Sequence, residues 1–126
     1  MGLDMFAFAV PAAQVGDQQV DVQLPESARE IAYWRKFNHL HGWMNDLYKE
    51  KGGADADFNC NTVRLTEVDL RHLEEALDEG TLRPRSGFFF GGSELHPEDI
   101  EATRVFITAA RESIAAGEAV FYDSWW

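Results

Sequence analysis

The two ends of the chain carry the feature that most constrains its fold, because both have the pattern of a β-strand. Asp4–Val10 is a short apolar and aromatic run that Pro11 ends, and Ala119–Asp123 is a second such run. The segments between them have helical patterns, and amphipathic helices need another layer to cover. We therefore predict that the terminal strands share one antiparallel sheet, with Tyr122 and the Trp125–Trp126 pair packed near the N-terminal strand.

Two further strands are predicted in the interior of the chain. Val20, Val22 and Leu24 alternate with polar residues, which is typical of a half-buried strand over Gln19–Leu24. Asn61–Leu65 is a short second candidate. The glycine-bounded segment Phe88–Phe90 is predicted to be a buried strand or turn.

Three helices are predicted from capping residues and apolar spacing. They run from a capping box at Ser27 to about Glu50, from Thr66 to a stop at Gly80, and from Pro97 to about Ala116. Interleaved strands and helices of this length indicate an α+β fold. The sequence thus predicts one domain over residues 1–126, in which three helices pack on a small antiparallel sheet of three to five short strands.

Composition and charge exclude several classes of protein. The chain has 126 residues, and its 45% hydrophobic and 13% aromatic content is too high for a disordered protein. It carries 22 acidic and 11 basic residues, giving a net charge of −11. Such a chain repels nucleic-acid phosphates, so we expect no direct nucleic-acid binding and a protein partner that is basic. The alternative is that the charge only maintains solubility.

The expected location is cytoplasmic. Cys60 is the only cysteine, which allows no intramolecular disulfide and suggests a reducing compartment. The apolar run near the N-terminus lacks the basic start of a signal peptide, and no apolar stretch has the length of a membrane span. We therefore expect no membrane association.

The segment Glu30–Met44 is the densest in aromatic and imidazole groups. If it is helical, one arc collects the core-facing residues Tyr33, Phe37, Leu40, Met44 and Leu47. The neighbouring arc mixes rings with amide and imidazole groups, and its members are Trp34, Asn38, His41, Asn45 and Tyr48. This second arc suits a pocket or a protein interface. The alternative is an ordinary helix flank with polar tips bonded locally or to water.

No catalytic set, metal site or cofactor is predicted. His39 and His41 are two residues apart, so they lie on different faces of a helix and cannot bind one metal together. Nothing in the sequence places a base beside Cys60. The glycines around Ser86–Ser93 fit neither common phosphate-binding spacing, and no lysine follows them.

The whole chain resembles an uncharacterised family of small acidic proteins from bacteriophages, prophages and bacteria. The likeness rests on Met1–Met5, on Glu30–Lys36 with Asn38, His41 and Trp43, on Ser86–Gly91 (SGFFFG), and on the aromatic C-terminal end. This sequence has Phe6 where the family often has Tyr, Asn61 where it has Gly, and Asp123–Trp126 where it has Ser-Ser-Trp. Some members carry a kinase name, but this chain lacks a nucleotide-binding loop. The resemblance implies a phage-related protein acting inside a bacterial host cell.

Two hypotheses of function follow from these patterns. The first is a phage or prophage accessory protein that binds a protein partner, for example a host-defence inhibitor such as an anti-CRISPR protein or a DNA mimic. The second is a small-molecule binding protein or enzyme whose pocket, lined by Trp34, Arg35, Asn38 and His41, takes a nucleotide-like or anionic ligand. The residues predicted to bind a ligand or partner are Trp34, Arg35, Asn38, His41, Asn45, Tyr48, Ser86 and Gly87.

Overall fold

The computed structural model describes residues 2–85 and 94–126. Over these ranges the elements are β1 (Asp4–Pro11), a short 3-10 helix (Ala12–Gln14), β2 (Arg29–Arg35), α1 (Asn38–Glu50), β3 (Val63–Leu65), α2 (Glu67–Glu79), α3 (Pro97–Ala115) and β4 (Glu118–Trp125). The strands form one antiparallel sheet of four in the order β2-β1-β4-β3. The predicted α+β class is confirmed. The predicted strand or turn at Phe88–Phe90 lies outside the described residues.

The two terminal strands are the central neighbours of the sheet. They pair antiparallel along their full length, from Asp4 opposite Trp125 to Pro11 opposite Glu118. This confirms the prediction that the chain ends share one sheet. Tyr122 lies opposite Ala7, and Trp126 packs against the core, whereas Trp125 is 68% exposed. The prediction that both tryptophans bury near the N-terminal strand is therefore wrong for Trp125.

One side of the sheet, which we call the helical face, carries the main core. Met5 and Ala7 of β1 and Val120 and Tyr122 of β4 point to this side, where they meet apolar residues of all three helices. The contributions of the helices include Leu40, Met44 and Leu47 of α1, Leu70 and Leu73 of α2, and Phe106, Ile107 and Ala110 of α3. Side chains alternate along a strand, so the residues between these point to the opposite side, the outer face.

The helix predicted from Ser27 to Glu50 is wrong over nearly its first half. Residues 29–35 form the edge strand β2, and α1 begins only at Asn38. β1 would otherwise have a free edge, and Ile31, Tyr33 and Trp34 are residue types that favour strands. Lys36, with φ 55°, turns the chain from the strand into the helix. Tyr33, predicted to lie in the core, is consequently 49% exposed.

The strand predicted at Gln19–Leu24 is also wrong, since only Val20 forms an isolated bridge, to Val63. Asp21 has φ 53°, which ends the extended conformation. The chain then crosses the outer face to reach β2 at the opposite edge. Val22 and Leu24 pack there with Phe121 in a second, smaller core, so residues 12–28 cover one end of the outer face.

The second and third helices follow their predicted signals. Thr66 caps α2 in a capping box with Asp69, and Gly80 ends it with φ 65°, a left-handed conformation that glycine adopts readily. Pro97 occupies the first turn of α3, which ends at Ala115. Within residues 2–85 and 94–126, no helix has the length and apolar character needed to cross a bilayer.

Candidate protein-binding face

The open end of the outer face carries the largest group of accessible aromatic side chains described here. We call it the aromatic face; it consists of Asp4, Phe6, Phe8, Glu30, Tyr33, Arg35, Asp123 and Trp125. Strand register brings them together: Phe6 lies opposite both Tyr33 of β2 and Asp123 of β4, and Asp4 lies opposite both Arg35 and Trp125. Alternation of side chains places the β1 and β4 members, Tyr33 and Arg35 on the side away from the helices. Glu30 joins them because an irregularity in the register between Ala7 and Phe8 brings it opposite Phe8.

Three rings of this face, those of Tyr33, Phe6 and Phe8, pack in a row that we call the ring row. The centroids of Phe6 and Phe8 are 6.0 Å apart with nearly parallel planes, and Tyr33 packs against Phe6 at 5.3 Å. Phe6 and Phe8 are partly exposed, Tyr33 is 49% exposed and Trp125 is 68% exposed. A contiguous exposed apolar surface of this kind is typical of an interaction site.

The polar groups at one end of the row are engaged with each other. The Tyr33 hydroxyl donates to Asp4 Oδ1 at 2.5 Å, and Arg35 Nε lies 3.8 Å from the same oxygen. The hydrogen bond to Asp4 is the main reason that the pKa of Tyr33 is raised. Asp4 thus fixes the position of the Tyr33 hydroxyl and keeps Arg35 beside it.

Asp123 differs from Asp4 because it has no cation beside it. Its carboxylate accepts a hydrogen bond of 2.8 Å from the backbone N–H of Ser124. Burial is the main cause of its raised pKa. Across residues 2–85 and 94–126, no ion pair includes Asp123. A half-buried carboxylate thus lies opposite Phe6, beside the ring row, without a counter-ion among the described residues.

A cavity of about 290 Å³ adjoins the Trp125 end of the face. Its lining consists of Gly2, Asp4, Arg35, Trp125 and Trp126. Indole rings and a guanidinium surround this space, and both present flat surfaces on which a planar group can stack. The cavity is large enough for one side chain or a small ligand.

Trp125 points outward because hydrogen bonds to residues 58–60 hold the residues on each side of it. Cys60 N donates to Ser124 O at 2.8 Å, and Trp126 N donates to Asn59 Oδ1 at 2.9 Å. Trp126 Nε1 donates to the carbonyl of Phe58 at 3.1 Å. Phe58 and Cys60 have φ of 47° and 62°, so this tight loop is itself held in an unusual conformation. The hydrogen bonds between residues 58–60 and the end of β4 therefore hold both segments in place.

The residues of the predicted second arc do not form a surface. Trp34 is 2% exposed; its Nε1 donates to Thr103 Oγ1 at 3.1 Å, and its ring packs edge-on against Phe106. Asn38 is 1% exposed, and its Oδ1 accepts from the backbone N–H of Arg85 at 2.9 Å. Both side chains serve packing in the core. Of the predicted binding residues, Arg35 alone within the described ranges belongs to the aromatic face.

His41 and Tyr48 belong to a second group of rings, which we call the ring cluster: His41, Tyr48, Phe58 and Tyr122. His41 Nδ1 lies 2.6 Å from the Tyr122 hydroxyl oxygen, and both residues are almost fully buried. Burial, with a smaller effect of the Arg85 charge, lowers the pKa of His41 to about 4. Burial also raises the pKa of Tyr122 well above its ordinary value. The pair is therefore neutral at pH 7 and inaccessible to a substrate.

The remaining predicted residues lie elsewhere. The Tyr48 hydroxyl donates to Asp21 Oδ2 at 2.8 Å and accepts from Asp55 N at 3.2 Å. Asn45 is partly buried, and its Oδ1 is enclosed without a hydrogen-bond partner among the described residues. Ser86 and Gly87 lie outside the described residues. No set of three His, Cys, Asp or Glu side chains in the described part of the chain is arranged to bind a metal.

Sequence reasoning missed the surface formed by seven members of the aromatic face, which are Asp4, Phe6, Phe8, Glu30, Tyr33, Asp123 and Trp125. A signal was present, since Phe6 and Phe8 alternate with Met5, Ala7 and Ala9 in the first strand. Alternation shows that two faces differ, but it does not tell which face the helices cover. Comparisons with models of protein families, with curated proteins and with solved structures found no match, so the interpretation of this face rests on its own chemistry.

Proposed function

We propose that this protein is an accessory protein that binds another protein through the aromatic face, and that the bound segment of the partner is basic. The observation that carries the proposal is the open end of the outer face, where the rings of Phe6, Phe8, Tyr33 and Trp125 share a surface with Asp123, a carboxylate that forms no ion pair with a described residue. Aromatic side chains are enriched among the residues that dominate binding energy at interfaces. Each can bury on the order of 150–250 Å².

The charge of the face favours a basic partner over a second copy of this chain. The face carries Asp4, Glu30 and Asp123 against Arg35, and the whole chain has a net charge of −11. Two copies brought face to face would place these carboxylates together, and like-charge contacts across an interface are unfavourable. A basic segment would be attracted to the face, and salt would weaken its association.

Single-stranded nucleic acid is the other ligand that stacks on exposed aromatic residues of a sheet. Such binding also requires cations along the path of the phosphates. Arg35 is the only cation of the aromatic face, and it is already next to Asp4. The electrostatics therefore favour a protein.

The resemblance to small acidic phage and prophage proteins gives this proposal a biological setting. In the cytoplasm of a bacterial host, basic segments are common on proteins that bind nucleic acid. A host-defence inhibitor, such as an anti-CRISPR protein or a DNA mimic, would act by covering such a segment. Net charge and an accessible ring row are the features of this chain that support that role.

The double variant Tyr33→Thr/Trp125→Thr tests the proposal. Threonine maintains strand propensity while removing the two most exposed rings of the face. We expect a partner captured from bacterial lysate, purified and mixed with this protein, to bind the variant at least about tenfold more weakly than the wild type. Binding of the wild type should weaken as salt increases.

The matched control is Val68→Thr/Val105→Thr. These valines are 48% and 59% exposed and lie on α2 and α3, which cover the helical face. The control should bind like the wild type. Equal binding by the Tyr33/Trp125 variant would contradict the proposal. Self-association of the wild type that the same variant abolishes would assign the face to a second copy instead.

The cavity beside Trp125 favours a second candidate function, the binding of a planar anionic molecule. Arg35 could bind the anion, and Trp125 or Trp126 could stack on its plane. A thermal-shift screen with nucleotides is the test. Stabilisation that is lost in Arg35→Gln would support this candidate, and the absence of any stabilising nucleotide would reject it.

A further inference from the structure

We infer that Asp123, flanked by Phe6 and Trp125, is the subsite that receives an arginine side chain of the bound partner. This inference rests on the proposed function and identifies the chemistry that the aromatic face recognises. Asp123 lies opposite Phe6 in the β1–β4 register, and Trp125 follows two residues later on the same side of β4. The carboxylate is thus bordered by aromatic groups on two sides.

The same strand already holds a guanidinium against one of its rings, two residues before Asp123. Arg64 lies with its Cζ 5.9 Å from the centroid of Phe121, which precedes Asp123 by two residues on the outer face. Its guanidinium is held there by the carbonyls of Gly16, at 2.7 Å, and Gln18. The outer face therefore pairs a guanidinium with a ring at the covered end. At the open end it offers rings and a carboxylate.

The protein's own arginines near this face are occupied. Arg29 pairs with Glu118 at 2.7 Å, Arg35 is next to Asp4, and Arg64 is bound to backbone carbonyls. None of them is positioned to neutralise Asp123. A desolvated carboxylate without a counter-ion is unfavourable in the free protein, and a cation supplied by the partner would relieve this cost.

Arginine fits this environment better than lysine. Its guanidinium is planar, less strongly hydrated than an ammonium, and able to stack on a ring while two of its N–H groups donate to a carboxylate. A lysine ammonium would have to lose a tightly held hydration shell at a half-buried site. The site should therefore discriminate between two side chains of equal charge.

The test uses N-acetyl-arginine amide as the probe, with N-acetyl-lysine amide and the uncharged N-acetyl-citrulline amide as comparisons. Binding is followed by NMR of the intact protein at the Trp125 indole N–H and the Ser124 amide. We expect saturable shifts with the arginine probe, weaker binding of the lysine probe and no binding of the citrulline probe. The variant Asp123→Asn should bind the arginine probe about tenfold more weakly, equivalent to about 1.4 kcal/mol.

Asparagine maintains an oxygen that can accept from Ser124 N, so this variant should retain the fold. The matched control is Glu75→Gln, which removes an exposed carboxylate of α2, outside the aromatic face, and should leave binding of the arginine probe unchanged. Equal shifts with citrulline, equal binding of lysine, unaltered binding by Asp123→Asn or no shift with arginine would each overturn the inference. The assay needs no protein partner, so its failure is distinguishable from failure of the proposed function.

Discussion

The ring cluster and the aromatic face are two groups of aromatic side chains on opposite sides of the same sheet. β4 contributes to both, with Tyr122 pointing inward and Trp125 pointing outward. In the ring cluster the polar groups of the rings form hydrogen bonds with other residues of the protein, as in the 2.6 Å contact between His41 Nδ1 and the Tyr122 hydroxyl oxygen. On the aromatic face Asp123 forms no ion pair with any residue that the structure describes. The difference indicates that one group holds the fold together, while the other is available for a partner.

The largest expected effect is a loss of stability from emptying the ring cluster. Phe58 is fully buried against His41, Tyr48 and Tyr122. Replacing it by alanine leaves a cavity, so Phe58→Ala should lower the free energy of unfolding by about 3–5 kcal/mol. Urea unfolding followed by tryptophan fluorescence measures this. A loss below about 1 kcal/mol would mean that the cluster does not support the fold.

A fall in pH should lower the stability of the protein through protonation of His41 in the ring cluster. Its pKa is about 4 in the fold against an ordinary value of 6.5, so the unfolded chain binds more protons between these values. Stability should therefore fall as the pH drops from 6.5 towards 4, by at most about 3 kcal/mol. In His41→Gln this dependence should be reduced, as measured by urea unfolding at a series of pH values.

Other groups change the stability in the opposite direction as the pH falls. Their effect is removed by comparing the wild type with the variant. The pKa values of Asp99 and Asp123 are raised by burial, so these carboxyls take up protons more readily in the fold and favour it as the pH falls. They are present in both proteins, and their effect cancels in the difference between wild type and variant. Identical pH profiles for the two proteins would show that His41 does not titrate as described.

The end of β4 connects the two groups of rings. Its removal should lower the stability of the protein by an intermediate amount. Deleting Ser124–Trp126 removes five hydrogen bonds to the 58–60 loop, two of them between Asn59 and Trp126. We expect a loss of roughly 2 kcal/mol, with a melting temperature several degrees lower. The control Trp125→Thr leaves these bonds in place. An unaltered melting temperature after the deletion would show that the tail is not part of the fold.

The smallest effect on stability should come from the aromatic face. Tyr33→Thr and Trp125→Thr alter side chains that are 49% and 68% exposed. Substitutions at such sites usually change stability by no more than about 0.5 kcal/mol, so both variants should unfold like the wild type. A loss above about 2 kcal/mol for either would place these rings in the core and would remove the contrast with the ring cluster.

Local signals were sufficient for the parts of the fold that local contacts determine. The cap at Thr66 and the stop at Gly80 act within a few residues, and α2 was predicted accordingly. The strand at Arg29–Arg35 was not predicted, because its apolar spacing suits a helix as well as a strand. The free edge of β1 decides between them, and β1 lies about twenty residues earlier in the chain.

The same limit applies to the candidate site. Density of rings and imidazoles pointed to Trp34, Asn38 and His41, which are in fact core residues. Density alone does not separate packing from binding, since buried aromatic residues need partners for their polar tips too. The binding face depends on where residues 12–28 cross the sheet. That crossing is a property of the whole chain rather than of any one segment.

The central position of β4 has a consequence for synthesis of the protein. β1 is made first, but roughly a hundred residues separate it from β4, its longest pairing partner. At about 5–20 residues per second, a ribosome takes on the order of 5–20 s to supply that partner. During this interval one edge of β1, with its alternating Met5, Phe6, Ala7 and Phe8, is open to other chains. A nascent chain of this protein should therefore rely on chaperones until β4 emerges.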